Sequence, residues 1–252
     1  MKTLALAISF FTLATGVASA ADMAVKVAPP APLPSWTGFY IGGHGGYGWK
    51  DDPFSFTVVA NPLVVLDGFK SSGWVGGGHF GYNWQYGAMV AGLELDVSAT
   101  GISGSSAVSA VTPGFTVAQS IGHDVKLLGS ARGRIGWAPN SDWMLYGTGG
   151  VAWEREDQTS FFSNAQPGFS ISGTTSNPVT LLGWIAGAGV EARLTGTNWI
   201  ARLEYLHYDF GHSRAAQSFT NVNQGIPTVS VNTVGSQTID VVRAGLSYKF
   251  GL

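Results

Sequence analysis

The chain has no cysteine, and only 11% of its 252 residues are charged. The first absence excludes disulfides and thiolate metal sites. The second lies well below the roughly 25% of an ordinary soluble domain, so something other than water must cover much of the surface. Net charge is only −2. Nucleic-acid binding rests on basic patches that neutralise phosphates, and no nucleic-acid partner is expected. Long apolar runs are missing as well. Beyond the N-terminal segment the best stretch, 181–190, is broken by Gly183, Gly187 and Gly189 and stops at Glu191 and Arg193, short of the roughly 17 to 25 residues a spanning helix needs.

What is present is glycine (36) and aromatic side chains (Trp 9, Tyr 8, Phe 14), set in segments that alternate apolar and polar residues. A two-residue period is the signature of a β-strand. The segments are 36–49, 73–85, 88–99, 124–138, 143–153, 182–194, 198–210 and 239–250. Short polar turns at 85–87, 139–142 and 195–198 join them on one side, and long Ser/Thr/Asn/Gly-rich joins at 50–70, 100–123, 154–180 and 211–238 on the other. Seven connections imply eight strands. In hydrocarbon every backbone N–H and C=O must be paired internally, which leaves helices or closed sheets. Bacterial outer-membrane barrels combine an even strand number with short periplasmic turns and longer extracellular loops. The expected fold is therefore all-β, an eight-stranded antiparallel up-and-down transmembrane barrel with both ends in the periplasm.

A soluble eight-stranded carrier would also alternate, so the content of the two faces decides. One parity is apolar and bounded by Trp or Tyr, as expected of aromatic girdles; the other carries Glu94, Asp96, Lys126, Arg132, Arg134, Glu191, Arg193, Arg202, Glu204, Arg243 and Lys249. Arg or Lys facing lipid at the midplane costs about 2 to 4 kcal/mol. The charged parity must be the lumen, and near Leu206 to Phe210, where parity blurs, a bulge is expected.

Residues 1–20 read as a secretory signal: Lys2 opens it, an apolar core runs over 4–13, and Ala18-Ser19-Ala20 precedes a cleavage between Ala20 and Ala21. Residues 21–35, with Pro29, Pro30, Pro32 and Pro34, suit an extended periplasmic lead-in, and 36–252 form the barrel. The protein is expected in the bacterial outer membrane.

Several functions fit such a barrel. An eight-stranded interior is roughly filled by side chains, and buried ions survive only when paired, so the inward charges are expected to form a packed network. The alternative is a narrow, weakly anion-preferring pore lined by the Arg and Lys excess. His44 and His79 share the inward parity and suggest a metal or haem contact, but no third ligand accompanies them. His207, His212 and Ser213, with Glu204 and Asp209 to orient an imidazole, outline an outer-membrane lipid hydrolase. Gly76-Gly77-Gly78 lacks the strand-then-helix context of a phosphate-binding loop and reads as room for neighbouring strands. No catalytic, cofactor or metal site is expected; outer-membrane lipid, lipopolysaccharide and, through the loops, host surface ligands are the expected partners.

A set of motifs points further. Trp36-Thr37-Gly38-Phe39-Tyr40-Ile41-Gly42, Gly129-Ser130-Ala131-Arg132-Gly133-Arg134-Ile135-Gly136, Tyr146-Gly147-Thr148-Gly149-Gly150, Arg202-Leu203-Glu204-Tyr205 and Arg243-Ala244-Gly245-Leu246-Ser247-Tyr248-Lys249-Phe250 together resemble the alphaproteobacterial outer-membrane β-barrel family of rhizobial RopB-like surface antigens, often labelled small porins. The resemblance spans the whole mature chain. It implies an abundant surface barrel concerned with envelope integrity and host-facing exposure, and no shared catalytic residues. Barrel-assembly machinery is expected to read a terminal aromatic, whereas here Gly251 and Leu252 follow Phe250; Tyr248 and Phe250 are the expected assembly signal. Deleting residues 248–252 is expected to abolish outer-membrane insertion, and surface proteolysis of whole cells that finds the truncated chain at normal levels refutes that role.

Overall fold

The computed structural model describes residues 35–52, 69–112, 114–219 and 229–250. The signal segment with its Ala20–Ala21 cleavage and the lead-in up to residue 34 lie outside them. Eight strands run β1 (Gly38–Asp52), β2 (Phe69–Tyr86), β3 (Met89–Thr112), β4 (Phe115–Trp137), β5 (Trp143–Gln166), β6 (Phe169–Arg193), β7 (Trp199–Phe219) and β8 (Val229–Lys249). Each pairs antiparallel with its sequence neighbours, and β8 returns to β1 to close the barrel. Closure leaves no edge inside the membrane, as hydrocarbon requires.

Alternation divides the residues between the two faces. Leu93, Leu95, Ile135, Val151, Leu203, Val242 and Leu246 are exposed on the outer wall, while Glu94, Arg132, Arg134, Arg202, Glu204 and Arg243 are buried inside. Exposed Trp84, Tyr86, Trp137, Trp199 and Phe250 ring the short-turn end, and Tyr47, Trp49, Trp74, Trp184 and Tyr205 ring the opposite one. Two belts at the two interfaces are what a lipid-embedded barrel shows.

The strands overrun the boundaries expected from sequence. The joins 100–123 and 154–180 are hairpins rather than loops: β3 and β4 stay paired to Thr112 and Phe115, and β5 and β6 to Gln166 and Phe169. Gly168, at φ 76°, turns the second hairpin, a conformation that glycine adopts without penalty. Pairing of β2 with β3 ends at Ser72 and Ser103, and of β6 with β7 at Trp184 and Asp209. Among the described residues, β3 to β6 thus continue as a four-stranded sheet beyond the barrel on the extracellular side. Ser, Thr and Asn dominate these extensions, and propensity alone concealed the pairing that tertiary context supplies.

One correction concerns the inside. Lys126 does not face the lumen. It is the extra residue of a bulge between Val125 and Leu127, its side chain is 48% exposed, and it pairs with Asp124. The bulge switches the parity of β4, so Val125 rather than Lys126 points inward beyond it. In β7, Leu206, Tyr208 and Phe210 are all buried, and the expected irregularity falls at the end of that stretch, where the register shifts between Asp209 and His212, a gap that includes Phe210. These side chains join Val75, Ile102, Val125, Leu128, Ala152, Ile185, Ile239 and Val241 in one apolar cluster. Inside, ionic side chains therefore give way above the middle of the barrel to an apolar layer in its extracellular half. Introducing Leu95→Arg on the outer wall is expected to cost about 2 to 4 kcal/mol; urea unfolding in lipid vesicles measures it, and a change under about 0.5 kcal/mol places Leu95 away from lipid.

Candidate functional site: the charged lumen

The centre of the lumen is built on Glu94 from β3. Arg202 grips it with both arms of the guanidinium, Nη1 to Oε1 at 2.9 Å and Nη2 to Oε2 at 2.7 Å, the bidentate geometry in which Arg–carboxylate pairs are strongest. Arg132 pairs with Oε1, Arg134 lies 3.3 Å from Oε2, and the Tyr40 hydroxyl donates to Oε2 at 2.7 Å. Glu191 takes Arg134 and Arg202, each at 2.7 Å. Glu204 takes Arg132 at 3.1 Å, Arg243 at 2.8 Å and the Tyr146 hydroxyl at 3.0 Å. Asp96 takes Arg243 at 3.1 Å and Arg132 at 3.4 Å, and Ser130 donates to it. Period-two alternation on β3, β4, β6, β7 and β8 brings these side chains to one interior. Glu94 faces Arg132 and Glu191 faces Arg202 directly in register.

Four guanidinia, of Arg132, Arg134, Arg202 and Arg243, thus meet four carboxylates, of Glu94, Asp96, Glu191 and Glu204. The layer itself is balanced in charge. Of the other three expected members, Lys126 is turned outward and two lie at the periplasmic end. Arg193 is at the periplasmic mouth, its guanidinium 4.6 Å from the Trp36 ring and donating to the Ser35 carbonyl; Lys249 is buried near the same end of β8.

The residues before β1 close that mouth. Trp36, expected to start a strand, instead lies inside the barrel at 1% exposure, clustered with Val90, Ala138, Met144, Tyr146 and Ile200. Gln85 holds it there by accepting the Trp36 N–H at 2.7 Å, and the Gln85 N–H donates to Thr37 at 2.9 Å. The lumen is therefore layered, with an apolar cluster at each end and the charged network between them.

His44 and His79 do meet, Nδ1 to Nδ1 at 3.2 Å. Arg243 donates to His44 Nε2 at 3.1 Å, so the His44 proton lies on Nδ1 and points at His79; His79 then donates from Nε2 to Ser247 at 2.7 Å. Ser98 also bonds His44 Nε2, at 2.7 Å. The rings form a hydrogen-bonded chain across the lumen, and among the described residues no group of three His, Asp or Glu has a metal-holding arrangement. Of the hydrolase set, the members with described side chains do not converge. Glu204 belongs to the lumen network, His207 lies on the outer wall against Asp240 at 2.8 Å, and the Asp209 carboxylate accepts the Gly211 N–H at 2.7 Å. The side chains of His212 and Ser213 lie outside the described residues. At the opposite end Tyr248 packs edge-on against both Trp199 and Phe250, ring centroids 5.3 Å apart in each pair.

Sequence reasoning missed Tyr40, Tyr146 and a buried trio at the extracellular rim. There Lys50 lies 3.5 Å from Glu154 and 3.1 Å from Glu156. A signal for the trio existed: Glu154 and Glu156 continue the inward parity of Ala152, although the strand was expected to end at Trp153.

A closed eight-stranded barrel with a lipid-facing exterior, two aromatic belts and a neutralised charged interior defines a bacterial outer-membrane β-barrel protein. The family match is direct. Residues 10–250 match the outer membrane protein beta-barrel domain, and the chain belongs to that family. It is 34% identical to the 31 kDa outer-membrane immunogenic protein of Brucella melitensis, covering 99% of this chain and 100% of that protein. It is 33% identical to the 22 kDa outer membrane protein of Rhizobium leguminosarum bv. viciae over 73% of this chain and 68% of that one. Among solved structures it is similar to OprG from Pseudomonas aeruginosa, with 13% identity, a TM-score of 0.47, and coverage of 84% of this chain and 97% of the other.

Glu94→Gln leaves buried guanidinia uncompensated and is expected to destabilise the barrel by about 3 to 5 kcal/mol. Urea unfolding followed by tryptophan fluorescence reads the change, and a loss under about 1 kcal/mol contradicts the central place of Glu94.

Proposed function

We propose that this protein is a non-catalytic, non-conducting structural barrel that contributes to envelope integrity and displays the β3–β6 sheet to the exterior. The observation that supports this reading most strongly is the layered lumen. A hydrated path would have to cross Trp36 and its apolar neighbours, the interlocked guanidinium–carboxylate layer and then the cluster around Leu128 and Ile102, whose side chains are fully buried. Ions passing the apolar layers would lose their hydration with no polar partner, at a large cost.

The same layers give the barrel a solid core, so the wall resists deformation and holds its extramembrane strands in register. Recognition then belongs to the hairpins, since segments on a rigid scaffold vary without harming it. The immunogenic designation of the Brucella relative agrees with surface exposure of that part. Lipopolysaccharide and host surface ligands are the partners we assign to this face.

Planar bilayers separate the scaffold from the small-pore reading. Refolded wild-type protein in 1 M KCl is expected to give no steady single-channel steps. Reproducible steps whose amplitude scales with salt overturn the scaffold reading and establish the pore.

A further inference from the structure

The outer wall of β6, β7 and β8 is apolar through the membrane band, with Ala186, Ala188, Leu203, Val242 and Leu246 facing out, yet at its extracellular end a polar cluster interrupts it. Asp240 accepts hydrogen bonds from Tyr205 Oη at 2.6 Å and His207 Nδ1 at 2.8 Å, and the Trp184 ring lies 5.6 Å from the imidazole. The side chains of His207 and Asp240 are 34% and 26% exposed. Asp240 is beside Trp49 in register, so the cluster lies within the outer aromatic belt, at headgroup height.

The lumen does not use these groups, and strand pairing does not need them. A carboxylate on a lipid-facing wall is unfavourable unless it has partners and a reason. Because the Asp240 carboxylate only accepts, His207 spends Nδ1–H on it. Nε2 is left without a protein hydrogen-bond partner among the described residues and open to the interface.

A furrow begins at this cluster. Register steps from His207 to Ala186, Gly149 and Gly133, one strand at a time, and onward through Leu93 and Tyr82 to Phe39 in the short-turn belt. Strands tilt by roughly 35 to 45°, so this row descends obliquely across the membrane, about 14 Å from His207 to Gly133 at the usual strand spacing. Internal packing does not require glycine along it. A Cβ on Gly149 would approach only to 3.4 Å and one on Gly133 to 3.9 Å, whereas on the inward Gly150 it would lie 2.1 Å from a carbonyl oxygen. The furrow opens into a cavity of about 730 Å³ lined by Trp84, Leu93, Gly133, Ile135, Gly147 and Gly149.

We propose that this wall binds one phosphate-headgroup lipid of the outer membrane. When its ring carries both protons, His207 donates from Nε2 to a phosphate oxygen, Asp240 and Tyr205 hold the imidazole in place, and Trp184 walls the headgroup. An acyl chain lies along Ala186, Gly149 and Gly133. A soluble anion would use only the polar end and a plain hydrocarbon only the furrow; an amphiphile uses both, and the register joins them.

Native mass spectrometry of the detergent-solubilised full barrel tests this with three probes: phosphatidylglycerol, diacylglycerol and inorganic phosphate. The wild type is expected to retain one phosphatidylglycerol and to bind diacylglycerol and inorganic phosphate at least tenfold more weakly. His207→Ala, Asp240→Asn and Gly149→Leu are each expected to weaken phosphatidylglycerol binding about tenfold, the loss of one charge-assisted hydrogen bond or of the chain's seat, while heat-modified gel mobility reports an intact barrel. Equal retention by wild type and folded His207→Ala overturns the proposal. So does diacylglycerol or inorganic phosphate binding as tightly as phosphatidylglycerol, a comparison on the wild type alone that stands even where a variant fails to fold.

Discussion

Neutralising charge away from water is the constraint around which this barrel is organised. Glu94 cannot be buried with two empty oxygens, and Arg202 cannot be buried without an anion; each alone would carry a desolvation penalty of several kcal/mol. Together with Arg132, Arg134, Glu191, Glu204, Asp96 and Arg243 they complete one another, and Tyr40 and Tyr146 add donors to the carboxylates. These partners come from strands far apart in the chain. The pairing is satisfied only when the sheet closes in the register observed, so it selects that register as well as stabilising it; a one-residue slip of any of these strands would send that strand's ions to the lipid face.

The apolar layers follow from the same constraint. A charged cluster open to water at either end would be screened and loosened, whereas Trp36 below and the cluster around Leu128 and Ile102 above keep it dry. Low local dielectric strengthens every pair in the network while making each unpaired group more expensive. The result is a filled cylinder. The paired extensions of β3 to β6 continue the barrel's own ladders outward.

On the outside the physics is reversed, and polar groups need a reason to face lipid. The dyad of His207 and Asp240 within the aromatic belt has such a reason in a headgroup, and the glycines that descend from it leave room for a chain. The inward glycines answer to a different demand, since at Gly46, Gly77 and Gly150 a Cβ would meet the neighbouring strand's carbonyl at 2.1 Å. One residue type thus serves two unrelated purposes on the two faces.

The chain by itself determined the class of fold and its placement. Alternation, the short and long joins and the scarcity of charge left a closed sheet in lipid as the route by which backbone groups are satisfied, and the parity of Glu94, Arg132, Arg202 and Arg243 identified the inside. Tertiary structure alone decided where alternation is broken and what meets across the lumen. The bulge that turns Lys126 outward depends on mismatched spacing between β4 and β5, which local sequence does not encode. The enclosure of Leu206, Tyr208 and Phe210 depends on curvature that brings β7 against Ile102 and Val125. Strand continuation through 100–123 and 154–180 depends on pairing partners rather than on the propensities of serine and threonine. Side-chain period is a local property written in every strand, whereas register, closure and the choice of ionic partner are set by contacts between residues as distant as Lys50 and Glu156, which are neighbours only after the barrel has formed.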